Sequence, residues 1–128
     1  MKHLLILIIS FITFSAIAQE GAKIEFKETT IDYGEAVIGK DNGIRTFEFK
    51  NTGTAPLIIN KVYSTCGCTV PKKPEAPIMP GETGVIEVKY DVSAKRKGPI
   101  RKTITVYTNA TNIEQGIISL KIKGTVVE

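Results

Sequence analysis

The sequence has no tryptophan, a single histidine and only two cysteines. The histidine is His3, inside the apolar N-terminal stretch. Removal of that stretch on export would leave no histidine at all. Ser-His-Asp and Cys-His catalysis in their usual form are then excluded, as are histidine metal ligands of the zinc type. Heptads and low-complexity tracts are absent, and no segment after residue 19 shows helical spacing over a useful length. No second apolar run there is long enough to span a bilayer as a helix. The formal net charge is a modest +4 and no nucleic-acid-binding motif is present, so nucleic acid is not an expected partner.

The N-terminus supplies the first positive signal. Lys2 gives a short basic start, and residues 4–17 are almost continuously apolar, broken by Ser10, Thr13 and Ser15. Ala16-Ile17-Ala18 is a small-x-small site. These parts together read as a signal peptide over residues 1–18, cleaved after Ala18. The run is shorter than the ~20 residues a spanning helix needs. The expected mature chain, 19–128, is one domain without a transmembrane segment, exported to the periplasm or beyond the cell. The expected partner is an envelope or secreted protein.

That chain reads as short strands between turn signals. Residues 23–26 alternate, 31–34 continue as an extended edge segment, and 45–50 place Phe47 and Phe49 on one face. Asn51-Thr52-Gly53-Thr54 is a turn string, since Asn and Gly tolerate positive φ. Residues 57–62 begin with a continuous apolar run, which implies burial on both faces or a switch of facing. Four prolines, Pro71, Pro74, Pro77 and Pro80, rule out a central strand or a helix over 70–81, which reads as a long connection between sheets. Ile86, Val88 and Tyr90 then share a face, as do Ile104 and Val106. The last run puts Ile118, Leu120, Ile122, Gly124 and Val126 on one side, with Ser119, Lys121, Lys123 and Thr125 on the other. About seven short strands with such spacing predict an all-β, antiparallel β-sandwich. Its core is expected to hold Phe47, Phe49, Leu57, Ile59, Ile86, Val88, Ile104, Val106, Leu120 and Ile122. The lysine-rich outer faces of the first and last strands are expected to discourage edge pairing.

The pattern Phe47-x-Phe49-x-Asn51-Thr52-Gly53-x-x-Pro56-Leu57-x-Ile59-x-x-Val62-x-x-Thr65-Cys66-Gly67-Cys68-Thr69 resembles the bacterial family catalogued as domain of unknown function 1573. Ile78-x-Pro80-Gly81-x-x-Gly84-x-Ile86-x-Val88-x-Tyr90-Asp91 and Leu120-x-Ile122-Lys123-Gly124 fit it too. The resemblance covers nearly the whole mature chain. It implies an immunoglobulin-like sandwich, similar to PapD, major-sperm-protein and Hydin-type domains, and it implies no reaction. By fold analogy alone it points to protein interaction.

Cys66-Gly67-Cys68 is the main candidate site. In an oxidising compartment a disulfide persists. A bridge across so short a loop contributes only about 1.6 kcal/mol of loop entropy for ~3 residues, before strain is subtracted. Three readings stand side by side. One is a structural loop element, bridged or packed. The second is thiol–disulfide exchange, with Lys72 and Lys73 near enough to favour a thiolate if the connection folds back. The third is a Cu(I) site formed by Cys66, Cys68 and the Met79 thioether. The second candidate surface is basic: Lys95, Arg96 and Lys97, followed by Arg101 and Lys102. It reads as a solvated loop, or as a contact for an anionic surface or acidic partner. Asn109-Ala110-Thr111 matches a glycosylation acceptor, which the resemblance to a bacterial family implies is silent. The expectation for the chain as a whole is a non-enzymatic interaction module, with small-scale thiol or Cu(I) chemistry as the alternative.

Overall fold

A computed structural model describes residues 21–128. The expected signal peptide, its cleavage after Ala18, and His3 all lie outside the described residues. Eight strands follow one another: β1 (Ile24–Phe26), β2 (Thr30–Val37), β3 (Ile44–Asn51), β4 (Ile59–Ser64), β5 (Thr69–Lys72), β6 (Thr83–Tyr90), β7 (Gly98–Thr108) and β8 (Ile117–Val127). The only helical elements among the described residues are two 3-10 turns, Ala94–Arg96 and Glu114–Gly116. The strands form two four-stranded sheets, ordered β1-β3-β6-β5 and β2-β8-β7-β4.

The alternation in the sequence decides what lies between the sheets. All ten expected core residues are buried. Phe47 and Ile86 are direct partners across β3 and β6, and Ile104 and Leu120 across β7 and β8. Side chains two apart along a strand share a face, so one row from each strand meets the opposite sheet. Leu57 and Ile59 resolve the apolar run at 57–59. Leu57 bridges Ile78, whereas Ile59 pairs with Thr108 in the second sheet, and Ile58 between them is exposed. The chain therefore switches sheets at that point.

Three expectations need correction. The strand count is eight, because part of the proline-rich stretch, Thr69–Lys72, forms β5. Pro71 is tolerated there since β5 is an edge strand with a neighbour on one side only. The sandwich is not wholly antiparallel: β2 runs parallel to β8. Alternation fixes which face a strand buries and carries no information on its neighbour's direction. Finally, β8 is not an edge. It lies between β2 and β7, so its outward lysines are not there to blunt an edge.

Candidate functional site: the Cys-Gly-Cys turn

β4 is the edge strand of one sheet and β5 the edge strand of the other, and the chain passes between them through Thr65-Cys66-Gly67-Cys68. The Thr69 N–H donates to the Cys66 carbonyl at 3.1 Å and closes the turn. The Cys66 N–H donates to Ser64 Oγ at 3.4 Å. The two sulfurs stand in bonding contact, with the Cα atoms 5.2 Å apart, inside the roughly 4.4–6.8 Å that a disulfide requires. Cys68 is 3% exposed and belongs to the core, while Cys66 is half-buried against it. The Cys68 N–H donates to Cys66 Sγ at 3.2 Å. Gly67 is not at positive φ, and a side chain there would meet open space. The turn geometry therefore does not itself demand glycine.

The turn also closes the edge of β5. The Asp91 N–H donates to the Cys68 carbonyl at 2.8 Å, and the register continues Thr69↔Tyr90, Val70↔Lys89, Pro71↔Val88. Antiparallel strands alternate their inward and outward N–H groups. Thr69 and Pro71 accordingly face away from β6. The Thr69 N–H is taken by Cys66, and proline has none. The edge of β5 thus offers no free donor to another strand. β1, at the opposite edge, is capped differently: Asn112 Oδ1 accepts the Ile24 N–H at 3.0 Å and Asn112 Nδ2 donates to the Ile24 carbonyl at 3.0 Å.

Beside the turn lies a buried tyrosine corner. Tyr33 Oη donates to the Gly43 carbonyl at 2.7 Å, and the Tyr90 N–H donates to the same oxygen at 2.9 Å. Any side chain at Gly43 would run into the Tyr90 backbone, so only glycine fits this approach. The Arg45 guanidinium stands 4.1 Å from the Tyr33 ring centre. Both its Nη atoms donate to the Asp41 carboxylate, at 2.7 and 3.1 Å. Burial pushes the Tyr33 phenol up to about 12, against a smaller opposing pull from Arg45. The hydrogen bonds from Arg45 hold the Asp41 carboxyl below its ordinary value.

The other sequence candidates are scattered. Met79 sits beside the entry to β6, where its N–H donates to Glu82 Oε2 at 3.3 Å. The cysteines lie beside the exit of β6, so the length of that strand, roughly 25 Å at ~3.3 Å per residue, separates the thioether from them. Cys66, Cys68 and Met79 do not form one site. Lys73 pairs with Glu75 at 3.4 Å, and Lys72 faces Glu87 across the sheet. Lys95 and Arg96 lie exposed in the first 3-10 turn, and Lys97 pairs with Glu128 at 3.1 Å. Arg101 and Lys102 belong to β7, where Arg101 faces outward. Asn109 has its amide nitrogen bonded to the Pro56 carbonyl at 3.0 Å, a structural use of the glycosylation-like motif.

Sequence reasoning missed two groupings. Asn51 was a turn signal; its buried side chain in fact joins four backbone groups. The outward cations of β8, Lys121 and Lys123, stand beside Arg101 through the β7–β8 register. Period-2 alternation marked them as outward, but nothing local marked their neighbour.

Two packed four-stranded sheets with this strand order define an immunoglobulin-like, PapD-like sandwich. The chain belongs to the DUF1573 family, described as a protein of unknown function, whose family model matches residues 24–126. No curated protein matches the sequence. Among solved structures it is similar to a protein of unknown function from Porphyromonas gingivalis W83, with a TM-score of 0.70 at 19% identity over 88% of this chain. The match spans 51% of that protein, so this chain corresponds to about half its length. A PapD-like domain of human CEP192 is similar with a TM-score of 0.59 at 12% identity, over 83% of this chain and 86% of that one. The YadV chaperone is similar with a TM-score of 0.60 at 13% identity, over 83% of this chain and 53% of that one. At these identities the likeness concerns the fold.

Proposed function

We propose that residues 19–128 are a single exported, non-enzymatic module for protein interaction in the cell envelope, and that Cys66 and Cys68 form a structural disulfide within it. The observation that carries this reading is the burial of Cys68 in the core at a turn that joins two edge strands and closes one of them. A sulfur in that position holds the sheet corner and is shielded from an incoming thiolate. A signal-like N-terminus and the chaperone among the structural neighbours support export and interaction. Asn112 covers Ile24 at one edge of the first sheet and Pro71 and the bonded Thr69 N–H remove donors at the other, which leaves the broad outer face of the second sheet as the side for a partner.

One observation favours thiol exchange as a second reading. The Cys68 N–H points at Cys66 Sγ, and Cys66 is the more exposed sulfur. A donor in that position stabilises a Cys66 thiolate once the bridge is reduced. Intact mass under acid quench, with alkylation before and after reduction, separates the two. The structural reading expects no alkylation until reductant and denaturant are both present, and no disulfide reductase activity. Ready alkylation of Cys66 after mild reduction, with a reduction potential well above about −300 mV, overturns it in favour of exchange.

A further inference from the structure

We propose that the outer face of the second sheet carries a binding site for a phosphomonoester group, formed by Arg101, Lys121 and Lys123. Arg101 in β7 is the direct cross-strand partner of Lys123 in β8, and Lys121 partners Thr103. All three cations are exposed on the same outward face. Like charges placed directly opposite each other across a sheet are destabilising. Here no direct ion pair relieves this: among the described residues none of the three cations forms one. Asp32 in β2 lies opposite Lys123, but its Oδ1 accepts the Gly34 N–H at 2.8 Å and it makes no ion pair with the lysine.

The first sheet treats its outer face the other way. Glu25 faces Lys50, Glu87 faces Lys72, and Glu48 reaches Lys27 at 4.0 Å. Among the described strands a cation placed directly opposite another cation, Arg101 opposite Lys123, is therefore a feature of the second sheet and not of the first.

Its charge and spacing suit a small, multiply charged anion. Two residues along a strand separate Lys121 from Lys123 by ~6.7 Å, and Arg101 lies one strand spacing away, ~4.8 Å. The three surround a hollow of about 370 Å³, which Thr30, Lys102 and Thr103 also border. A phosphomonoester brings close to two charges and three acceptor oxygens, matching three neighbouring exposed cations and two neighbouring hydroxyls. One carboxylate would neutralise a single cation. A phosphodiester chain needs cations strung along its length, and beyond this cluster the face has only Lys61, which lies over the rings of Tyr63 and Tyr107.

The group can arrive as a soluble phosphate or on a lipid headgroup, and the test separates these. Backbone amide shifts of isotope-labelled protein are followed while inorganic phosphate is added at about pH 7.5, where the dianion dominates, at constant ionic strength. A second arm uses phosphatidylcholine vesicles containing phosphatidic acid, with phosphatidylglycerol vesicles as the phosphodiester control. Saturable shifts centred on Arg101, Thr103, Lys121 and Lys123 are expected. The double variant Arg101→Gln, Lys123→Gln should bind at least about tenfold more weakly, with a melting temperature no lower than the parent. Lys95→Gln with Arg96→Gln, which removes the same charge elsewhere, should change nothing. Binding of phosphate alone assigns a soluble source, and binding of phosphatidic acid alone assigns a headgroup. Non-saturating shifts, equal loss in the control variant, or equal binding to phosphatidylglycerol would each overturn the proposal.

Discussion

At one end of the first sheet the chain is held by Asn51, and at the other by the Cys66–Cys68 turn. Asn51 closes β3, is fully buried, and uses every polar atom it has. Its Nδ2 donates to the carbonyls of Ala55 and Ile78, both at 2.8 Å. Its Oδ1 accepts from the N–H groups of Gly53 at 2.9 Å and Lys23 at 3.4 Å. Its backbone binds Glu82 and Gly81. One side chain thus ties the start of β1, the turn after β3 and the approach to β6. Gly53 lets that turn close, because any side chain there would strike the backbone of residues 21–23. The cysteine turn ties only residues already adjacent in sequence, together with one bond to Asp91. Closing a short loop removes little entropy from the unfolded chain. Sequence separation therefore matters more than bond strength: a set of hydrogen bonds between distant segments can outweigh a covalent bond between neighbours.

The largest expected effect is at the first end. Asn51→Ala strips partners from several buried backbone groups, each worth roughly 1–3 kcal/mol when left unpaired. A loss of about 3 kcal/mol or more is expected in urea unfolding monitored by far-UV dichroism. Reduction of the disulfide should cost less, at most about 1.6 kcal/mol by loop entropy. The comparison can be broken by one pair of melts. If reductant lowers the melting temperature of the parent more than Asn51→Ala does, the covalent clamp is the stronger of the two ends.

The core was legible before the fold, because Phe47, Phe49, Ile86, Val88, Ile104, Val106, Leu120 and Ile122 advertise their burial by alternation. The cysteines were legible as a pair because they are neighbours in sequence. Asn51 looked like turn chemistry, for an asparagine before Thr-Gly carries the local signature of a turn. In fact it does not use positive φ, and its partners at Lys23 and Ile78 come together only in the folded chain. β5 stayed hidden behind Pro71, since the rule against proline in strands applies to positions flanked on both sides. The cation cluster was split in the sequence for the same reason: Arg101 stood out beside Lys95, Arg96 and Lys97, whereas its spatial neighbours Lys121 and Lys123 are supplied by register.

The smallest effect sharpens the second end. Tyr33→Phe removes the phenol that donates to Gly43 in the corner beside the cysteines, and should cost about 1 kcal/mol, since the Gly43 carbonyl keeps its bond from Tyr90. The pH dependence gives a signature that a simple packing loss lacks. The folded phenol titrates at about 12, above its ordinary value of 10.0. Folding therefore favours the protonated form, and the contribution is fully present below pH 10. It is lost as pH rises through about 12. Urea midpoints of the parent should fall across that alkaline window, and those of Tyr33→Phe should fall less. Parallel slopes in the two proteins would mean that another group governs the alkaline limb, and that the cysteine end depends on its disulfide rather than on the tyrosine beside it.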